Sequence, residues 1–291
     1  MKKNIVITGG AGFVGSNLIR YLLKKTKYDI ISLDNYSTGS HKNHVKSKRV
    51  QYIKSDSRNI SKVLKNPKKI HSLFHFGEFA RIYQSFLKME ECINSNSIGS
   101  NAVFNFCFTN NIKLIYSATS ATIGNKGNDK NLSPYSFTKA KNLELLENLK
   151  KWFKFKFEII YFYNVYGPNQ ISTGNMATVI GIFEDLYRKK KPLTVVKPGT
   201  QSRRFTHIDD TVKACYLAWK QNKCRHYSIS NRESHSILEV AKMFQSKIKL
   251  LASRRGERYA SALTNMNLSN KVYKIFGKVR LSNYINNIIK S

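Results

Sequence analysis

Residues 4–16 read NIVITGGAGFVGS, and this stretch decides the fold. Its first five residues are mostly β-branched, which is typical of a buried strand. Gly9, Gly12 and Gly15 follow, where a helical pattern begins. Glycine lets the backbone turn sharply and lets a pyrophosphate approach the helix N-terminus, whose free N–H groups favour an anion. The stretch therefore predicts a dinucleotide-binding turn, along which we expect the cofactor to contact Gly9, Gly12, Phe13, Val14 and Gly15.

An acidic residue follows the second predicted strand, which covers residues 29–33. At this distance from the glycines, Asp34 can accept hydrogen bonds from both hydroxyls of an adenosine ribose, with Asn35 beside it. Its negative charge would repel a 2′-phosphate, so Asp34 favours NAD over NADP. The competing interpretation is an ordinary turn over residues 34–37.

The first two thirds of the chain alternates short β-branched runs with longer helical patterns, which predicts a parallel sheet covered on both faces. The predicted strands are 4–8, 29–33, 72–76, 113–117 and 157–163, and the predicted helices are 15–24, 59–64, 89–110, 136–153 and 179–190. The pattern changes after Pro168. We expect an α/β, doubly wound (Rossmann) parallel sheet with a smaller C-terminal substrate-binding lobe. The expected boundaries are 1–167 for the NAD-binding domain, with a return segment at about 205–235, and 168–204 with 236–291 for the lobe.

Composition narrows the classes of protein to consider. The chain has 291 residues, is 41% hydrophobic and carries a formal net charge of +33. The hydrophobic fraction suits a soluble globular enzyme, and the positive charges are spread along the chain, so no specific nucleic-acid partner is expected. No apolar run suits a membrane span or a signal peptide, and the four cysteines show no metal-binding or disulfide pattern. We expect a cytoplasmic protein with no membrane partner and no metal.

A second motif concerns catalysis. Tyr135 and Lys139 lie four residues apart, just after Pro134, which suits the first turn of a helix. An ammonium group near a phenol lowers its pKa, so that a tyrosine can exchange a proton with a substrate hydroxyl near neutral pH. Such a pair alone is common by chance and is usually a solvated helix face. With the glycine turn upstream, it predicts a catalytic pair.

Further ordered motifs extend along essentially the whole chain. They lie at residues 8–16, 34–35, 56–59, 75–77, 96–100, 116–119, 135–139, 163–168 and 203–210. With these motifs the chain resembles the extended short-chain dehydrogenases/reductases that modify nucleotide sugars, most closely the UDP-glucose 4-epimerase-like branch. The resemblance implies NAD as a cofactor that stays bound, a nucleotide sugar as the substrate, and a C-terminal lobe that binds the nucleotide sugar.

The resemblance also implies roles along the cofactor. It places five further residues there: Asp56, Ser57, Phe76, Gly77 and Asn96. Of these, Asp56 and Ser57 would hold the adenine end. Lys139 would grip the nicotinamide ribose.

For the substrate, the resemblance implies that Thr119 hydrogen-bonds the reacting sugar hydroxyl, with Ser120 as the alternative. Asn164 would contact the diphosphate region. Arg203 and Arg254 would clamp the two phosphates, because a planar guanidinium bonds phosphate oxygens in a bidentate manner. The neighbouring Arg255 and Arg258 suit this role and a plain surface position equally well.

Three positions depart from the family pattern. Glu78 stands where the family usually carries an alanine, and Arg81 follows it in a loop that normally passes close to the nicotinamide and the sugar. Either residue could contact the substrate or simply cap the next helix. Arg204 replaces the usual aspartate and adds positive charge beside the expected phosphate clamp.

The function implied by the resemblance is 4-epimerisation of an NDP-hexose through a transient 4-keto sugar, with Tyr135 taking the proton of the C4 hydroxyl. An NDP-sugar 4,6-dehydratase is the main alternative, but it needs an acid beside Thr119. The next residues, 120–122, read Ser-Ala-Thr and supply none, unless Glu78 takes that part. The sugar and the nucleotide base stay open.

Two further alternatives are weaker. A 4-keto-sugar reductase using NADPH is disfavoured by Asp34, and a non-catalytic nucleotide- or nucleic-acid-binding protein is disfavoured by the intact catalytic residues. Relatives commonly pair through two helices, which fall here at residues 89–110 and 136–153. We therefore expect a homodimer.

Overall fold

The computed structural model describes residues 3–255 and 272–291. The strands are β1 (Asn4–Thr8), β2 (Asp29–Asp34), β3 (Val50–Lys54), β4 (Ile70–His75), β5 (Lys113–Thr119), β6 (Phe157–Phe162), β7 (Val165–Tyr166), β8 (Leu193–Val196), β9 (Ser202–Arg203), β10 (Thr206–His207), β11 (His226–Ser230), β12 (His235–Ser236), β13 (Ile248–Leu251) and β14 (Val272–Phe276). The helices are α1 (Phe13–Lys25), α2 (Ile60–Val63), α3 (Ile82–Leu87), α4 (Met89–Ile93), α5 (Ser100–Thr109), α6 (Pro134–Phe153), α7 (Val179–Arg188), α8 (Ile208–Gln221), α9 (Ile237–Met243) and α10 (Leu281–Lys290).

Eight strands form one sheet in the order β14-β11-β6-β5-β4-β1-β2-β3. All of its neighbouring strands run parallel. Apolar side chains from the strands pack against helices in two buried clusters, one around Leu73 and Phe104 and the other around Ile7 and Leu18. The predicted α/β, doubly wound parallel sheet is confirmed.

Parallel strands bring their carboxyl ends to one edge of the sheet, and this edge is where doubly wound folds bind ligands. In the register of this sheet, Thr8 pairs with Leu33 on one side and with His75 on the other. The glycine turn after β1, Asp34 at the end of β2 and Phe76 after β4 are therefore neighbours. Thr119 ends β5 at the same edge.

A third, smaller cluster of buried apolar side chains lies in the C-terminal part of the chain. Phe183, Val195, Phe244 and Ile285 form its centre, and these residues come from α7, β8, the end of α9 and α10. β11 lies beside β6 in the large sheet, and β14 lies beside β11. The boundaries of the two domains stay a prediction.

The predicted helix at 89–110 is interrupted. Between α4 and α5 the backbone takes π-helical geometry over Asn94–Gly99. A π-turn inserts an extra residue into the helix, and here Asn96 faces the loop after β4. Its side chain accepts a hydrogen bond from Phe79 N at 2.7 Å and donates one to Phe79 O at 3.0 Å.

Within the described part of the chain, no helix is both long and apolar enough to cross a membrane.

Candidate functional site

The turn after β1 is built for close approach of backbone to backbone. Gly9 has φ +72°, and a Cβ atom there would lie 2.8 Å from Gly77 N. A Cβ atom on Gly15 would lie 2.2 Å from Gly9 O. Any larger residue would push the turn away from α1 or from the loop after β4. The result is a tight cradle at the N-terminus of α1.

Asp34 lies at the end of β2 with 7% of its surface exposed. One carboxylate oxygen accepts a hydrogen bond from Ala11 N at 2.9 Å, and the other accepts one from Tyr36 N at 2.8 Å. Burial raises the pKa of Asp34 from its ordinary value, while these backbone hydrogen bonds oppose that rise. Each oxygen keeps a further lone pair, so the carboxylate can still accept hydrogen bonds from ligand hydroxyls.

Beside Asp34, a second carboxylate is fixed by local hydrogen bonds. Asp56 accepts hydrogen bonds from Arg58 N at 2.9 Å and from Asn35 Nδ2 at 3.1 Å. The Arg58 hydrogen bonds hold the pKa of Asp56 below its ordinary value, against the effect of burial. Asn35 and Asp56 are thereby held together beside Ser57.

Helix α6 carries the predicted catalytic pair. Ser133 caps its first turn by accepting a hydrogen bond from Ser136 N at 3.1 Å, and Pro134 occupies the first helical position, as the sequence predicts. Tyr135 is 9% exposed and Lys139 is 3% exposed. Thr119 at the end of β5 lines the same cavity as Tyr135 and Lys139. The first turns of α6 and the end of β5 thus meet at one point.

Burial raises the pKa of Tyr135 to about 12. The hydrogen bond from Thr119 and the charge of Arg81 lower it, and the charge of Glu78 raises it. That the Lys139 ammonium lowers the pKa of Tyr135 stays a prediction, and the surroundings of Lys139 oppose such an effect. Lys139 donates hydrogen bonds to the Glu78 carboxylate and to Ser117 O, and the Glu78 charge compensates its own.

The arginines of the site differ in their surroundings. Arg81 donates to Met176 O, with its Nε at 2.9 Å, and so ties the loop after β4 to the segment before α7. The guanidinium of Arg254 stacks on the ring of Tyr83 at 5.2 Å from its centroid. Arg203 donates to Ser202 O at 2.8 Å.

A single cavity of about 550 Å³ gathers these groups, a volume typical of a ligand site. Every residue expected at the site lines it except Asn96. The position of Asn96 is the exception because its side chain is fully buried against Phe79. Arg255 lines the cavity, Arg204 does not, and Arg258 lies outside the described residues. No cluster of side chains in residues 3–255 and 272–291 could hold a metal ion.

Some cavity residues had no signal in the sequence. Tyr83, Phe183, Val196 and Gln201 line it on the side of the C-terminal lobe. Phe183 and Val196 are apolar helix and strand residues, which look like ordinary core from sequence alone. Tyr83, two residues past Arg81, is the one that its neighbourhood in the sequence could have suggested.

The sequence of residues 5–230 matches the NAD dependent epimerase/dehydratase family. The chain belongs to this family. This match confirms the resemblance predicted from the sequence. Nucleotide-sugar epimerases are among the proteins similar to this chain.

Individual members show how the epimerase/dehydratase family varies around this chain. The ADP-L-glycero-D-manno-heptose-6-epimerase of Brachyspira hyodysenteriae is 27% identical over 260 residues, which cover 84% of this chain and 81% of that protein. The UDP-glucose 4-epimerase of Thermotoga maritima has the same fold, with a TM-score of 0.86 at 21% identity over 99% of this chain and 97% of that one. The UDP-glucuronic acid 4-epimerase of Bacillus cereus, solved with UDP-glucuronic acid and NAD, gives a TM-score of 0.83 at 26% identity over 99% of both chains.

The cofactor of this epimerase/dehydratase-family chain is NAD, and its residues fit that molecule. No side chain caps the N-terminus of α1, and the first turn carries no acidic residue. The free N–H groups there suit a pyrophosphate, with the glycine cradle giving it room. Asp34 suits the ribose hydroxyls of NAD and disfavours the extra phosphate of NADP.

Proposed function

We propose that this chain is an NAD-dependent epimerase that inverts C4 of a nucleotide-activated hexose. The observation that carries the proposal is that Thr119, Tyr135 and Lys139 line the same cavity as the glycine cradle. A phenol and a hydroxyl on the wall of one cavity can both contact one substrate hydroxyl. That arrangement is suited to moving a proton onto and off a sugar oxygen.

In this proposal, bound NAD supplies the chemistry that takes a hydride from C4 and returns it. Tyr135 takes the proton of the C4 hydroxyl and later gives it back, while Thr119 keeps the hydroxyl in place. Lys139 has three protons, and its bonds to Glu78 and Ser117 O use two of them. The third would donate to a ribose hydroxyl of the cofactor.

The substrate's diphosphate is proposed to lie between Arg203, Arg254 and Asn164. Asn164 is held with φ +32° and donates to Arg204 O at 3.1 Å, which fixes its place on the cavity wall. The stacking of Arg254 on Tyr83 keeps the guanidinium over the cavity. Arg81 adds a positive charge beside Tyr135 and is proposed, as part of the substrate site, to contact the sugar.

Dehydration is the second candidate, and the local contacts disfavour it. Thr122 Oγ1 donates to Thr119 O at 2.8 Å, and Ala121 N donates to Thr119 Oγ1 at 3.2 Å, so residues 120–122 form a tight turn without a carboxylate. Only 2% of the Glu78 side chain is exposed, and the carboxylate accepts hydrogen bonds from protein groups. A carboxylate held in this way is a poor acid for a departing sugar hydroxyl.

The test is incubation with UDP-, GDP- and dTDP-hexoses and N-acetylhexosamines, followed by NMR and mass spectrometry. We expect a C4 epimer of unchanged mass from one of them, and no conversion with the Tyr135→Phe variant. Loss of water in the native reaction that disappears in Glu78→Gln would refute the proposal in favour of a dehydratase. Denatured protein should also release NAD, and NADP as the main species would overturn the role of Asp34.

A further inference from the structure

Glu78 is the centre of a buried hydrogen-bond network beneath the catalytic pair. Its carboxylate accepts from Lys139 Nζ, from Ser100 Oγ at 2.9 Å and from Tyr116 OH at 3.0 Å. Lys139 Nζ also lies 4.5 Å from the centroid of the Tyr116 ring. Only 2% of the Glu78 side chain and 4% of the Lys139 side chain are exposed. The ion pair is therefore formed almost wholly out of water.

The direction of each hydrogen bond on one side of this network follows from the backbone. Thr8 Oγ1 accepts from Phe76 N and from Gly77 N, both at 3.1 Å, which uses its two lone pairs. Its own proton must then point to His75 Nδ1, which lies 2.6 Å away. This assigns the His75 proton to Nε2, 3.0 Å from Ser100 Oγ, and leaves Ser100 to donate to Glu78. Burial lowers the pKa of His75 to about 4, in agreement with a neutral ring.

The other side of the network gives the same result. Asn142 Nδ2 donates to Tyr116 OH at 3.0 Å, so the Tyr116 proton is directed to Glu78 at 3.0 Å. Burial and the Glu78 charge both raise the pKa of Tyr116, which keeps this proton in place. Each of these partners of the Glu78 carboxylate is a donor, so the group is ionised. An ionised carboxylate in turn keeps the Lys139 ammonium charged, against the lowering of its pKa by burial.

We propose that Glu78 is a positioning residue that cancels the charge of Lys139, so that the lysine orients ligand hydroxyls without adding a net positive charge beside Tyr135. The proposal rests on the proposed function, in which Tyr135 is the base. It places Glu78 behind Lys139, away from the substrate, and gives the loop after β4 two separate tasks. Glu78 removes one positive charge from the site, and Arg81 supplies another at a different point.

Arg81 has the properties that this division requires. It contacts Met176 O through two of its nitrogens, and none of the ion pairs within the described part of the chain includes it. Its charge acts on Tyr135 and lowers the pKa of the phenol. A guanidinium stays charged even when burial lowers its pKa, so it is a dependable source of positive potential.

The test compares variants that remove one or both of the charges, and the measured quantity is the titration midpoint of Tyr135. The phenolate absorbance of each protein, prepared with its cofactor but without substrate, is measured against pH, and that of the matching Tyr135→Phe variant is subtracted. Glu78→Gln leaves the Lys139 charge uncancelled and should lower the Tyr135 midpoint by about one pH unit or more. Glu78→Gln combined with Lys139→Met restores a neutral pair and should return the midpoint to the parent value. Arg81→Met should raise it.

Tyr116→Phe is the matched control, because it removes a neutral hydrogen bond from Glu78 and leaves both charges. Its Tyr135 midpoint should stay at the parent value. If Glu78→Gln does not fold, Lys139→Met answers the question alone, since it exposes the Glu78 charge and should raise the midpoint. An unchanged midpoint in the folded Glu78→Gln or Lys139→Met protein would overturn the proposal.

The two proposals fail in different ways. If the titration shifts as expected but no nucleotide sugar is isomerised, the proposed function fails and the role of Glu78 as a counter-ion stands. If the substrate is isomerised but the midpoint does not move, only the role of Glu78 fails. With an active enzyme, the acid limb of the pH profile of kcat should move in Glu78→Gln in the same direction as the titration.

Discussion

Helix α6 has an inner face and an outer face, and a lysine on each face forms an ion pair with different consequences. On the inner face, Lys139 forms an ion pair with Glu78, and the two side chains are 4% and 2% exposed. On the outer face, Lys141 forms an ion pair with Glu144 at 2.7 Å, and these side chains are 58% and 61% exposed. The two pairs differ in burial more than in the distance between their charges.

Water explains the difference. An exposed pair gains little, because solvent screens the attraction and the long side chains lose freedom. A buried pair is costly to desolvate, and breaking it leaves one charge unpaired in a medium where its field reaches its neighbours. The inner face can therefore tune the ionisation of Tyr135, whereas the outer face is suited to solvent or to another protein surface.

The largest expected effect is on the inner face. Tyr135→Phe removes the transferable proton and keeps the ring, so turnover of the nucleotide sugar should fall by about 10²–10⁴-fold. Binding of the nucleotide sugar, measured by calorimetry, should be retained. Turnover at the parent rate would remove Tyr135 from the mechanism.

The network behind the inner face should make stability depend on pH. Burial lowers the pKa of His75 from 6.5 to about 4, so the unfolded chain binds the proton first as the pH falls. The contribution of His75 to the free energy of unfolding is complete above pH 6.5 and is lost progressively down to about pH 4, a change of about 3 kcal/mol.

The control for this prediction is His75→Gln, a neutral side chain with one acceptor and one donor for Thr8 and Ser100. Urea denaturation of both proteins between these pH values should give a flatter pH dependence for the variant. Parallel curves would mean that His75 does not titrate as a buried group.

A smaller effect is expected on the outer face, where exposed apolar side chains fit the predicted homodimer. Phe137 is 48% exposed, and Leu87 and Met89, before and at the start of α4, are 63% and 55% exposed. We expect Phe137→Glu to weaken dimerisation by about tenfold or more, since aromatic side chains at the centre of an interface contribute most of its energy. Light scattering across a concentration series measures this, and a parent protein that stays monomeric would contradict the prediction.

The smallest effect is expected for the exposed ion pair. Lys141→Gln should leave the denaturation midpoint and the turnover unchanged within error, because solvent already screens its charge. This variant matches Lys139→Met on the same helix. A loss of turnover similar to that of Lys139→Met would show that burial does not separate the two faces.

The positions of site residues are predicted best from the sequence where local backbone structure sets them. The glycine cradle, Asp34 and the start of α6 at Pro134 follow local rules of strand, turn and cap, and each lies where its residues predict. The spacing of Tyr135 and Lys139 also fixes their shared helical face. Local rules of this kind act over a few residues, so a single sequence contains them.

Contacts between side chains from distant segments could not be predicted from the sequence. Glu78 is visible as an unusual residue, but its pairing with Lys139 depends on the way the loop after β4 packs against α6. The place of Asn96 along the cofactor stays a prediction, and its hydrogen bond to Phe79 depends on the π-helical turn. Both outcomes depend on tertiary packing, which spacing along the chain does not encode.

The most direct test of the proposed reaction follows one hydrogen atom. A nucleotide hexose carrying deuterium at C4 is incubated with the enzyme, and the products are analysed by NMR and mass spectrometry. If the chain is a 4-epimerase, the deuterium that leaves C4 returns to C4, so both epimers keep the label there and the mass does not change. A product lighter by one water, with deuterium moved to C6, would contradict the account.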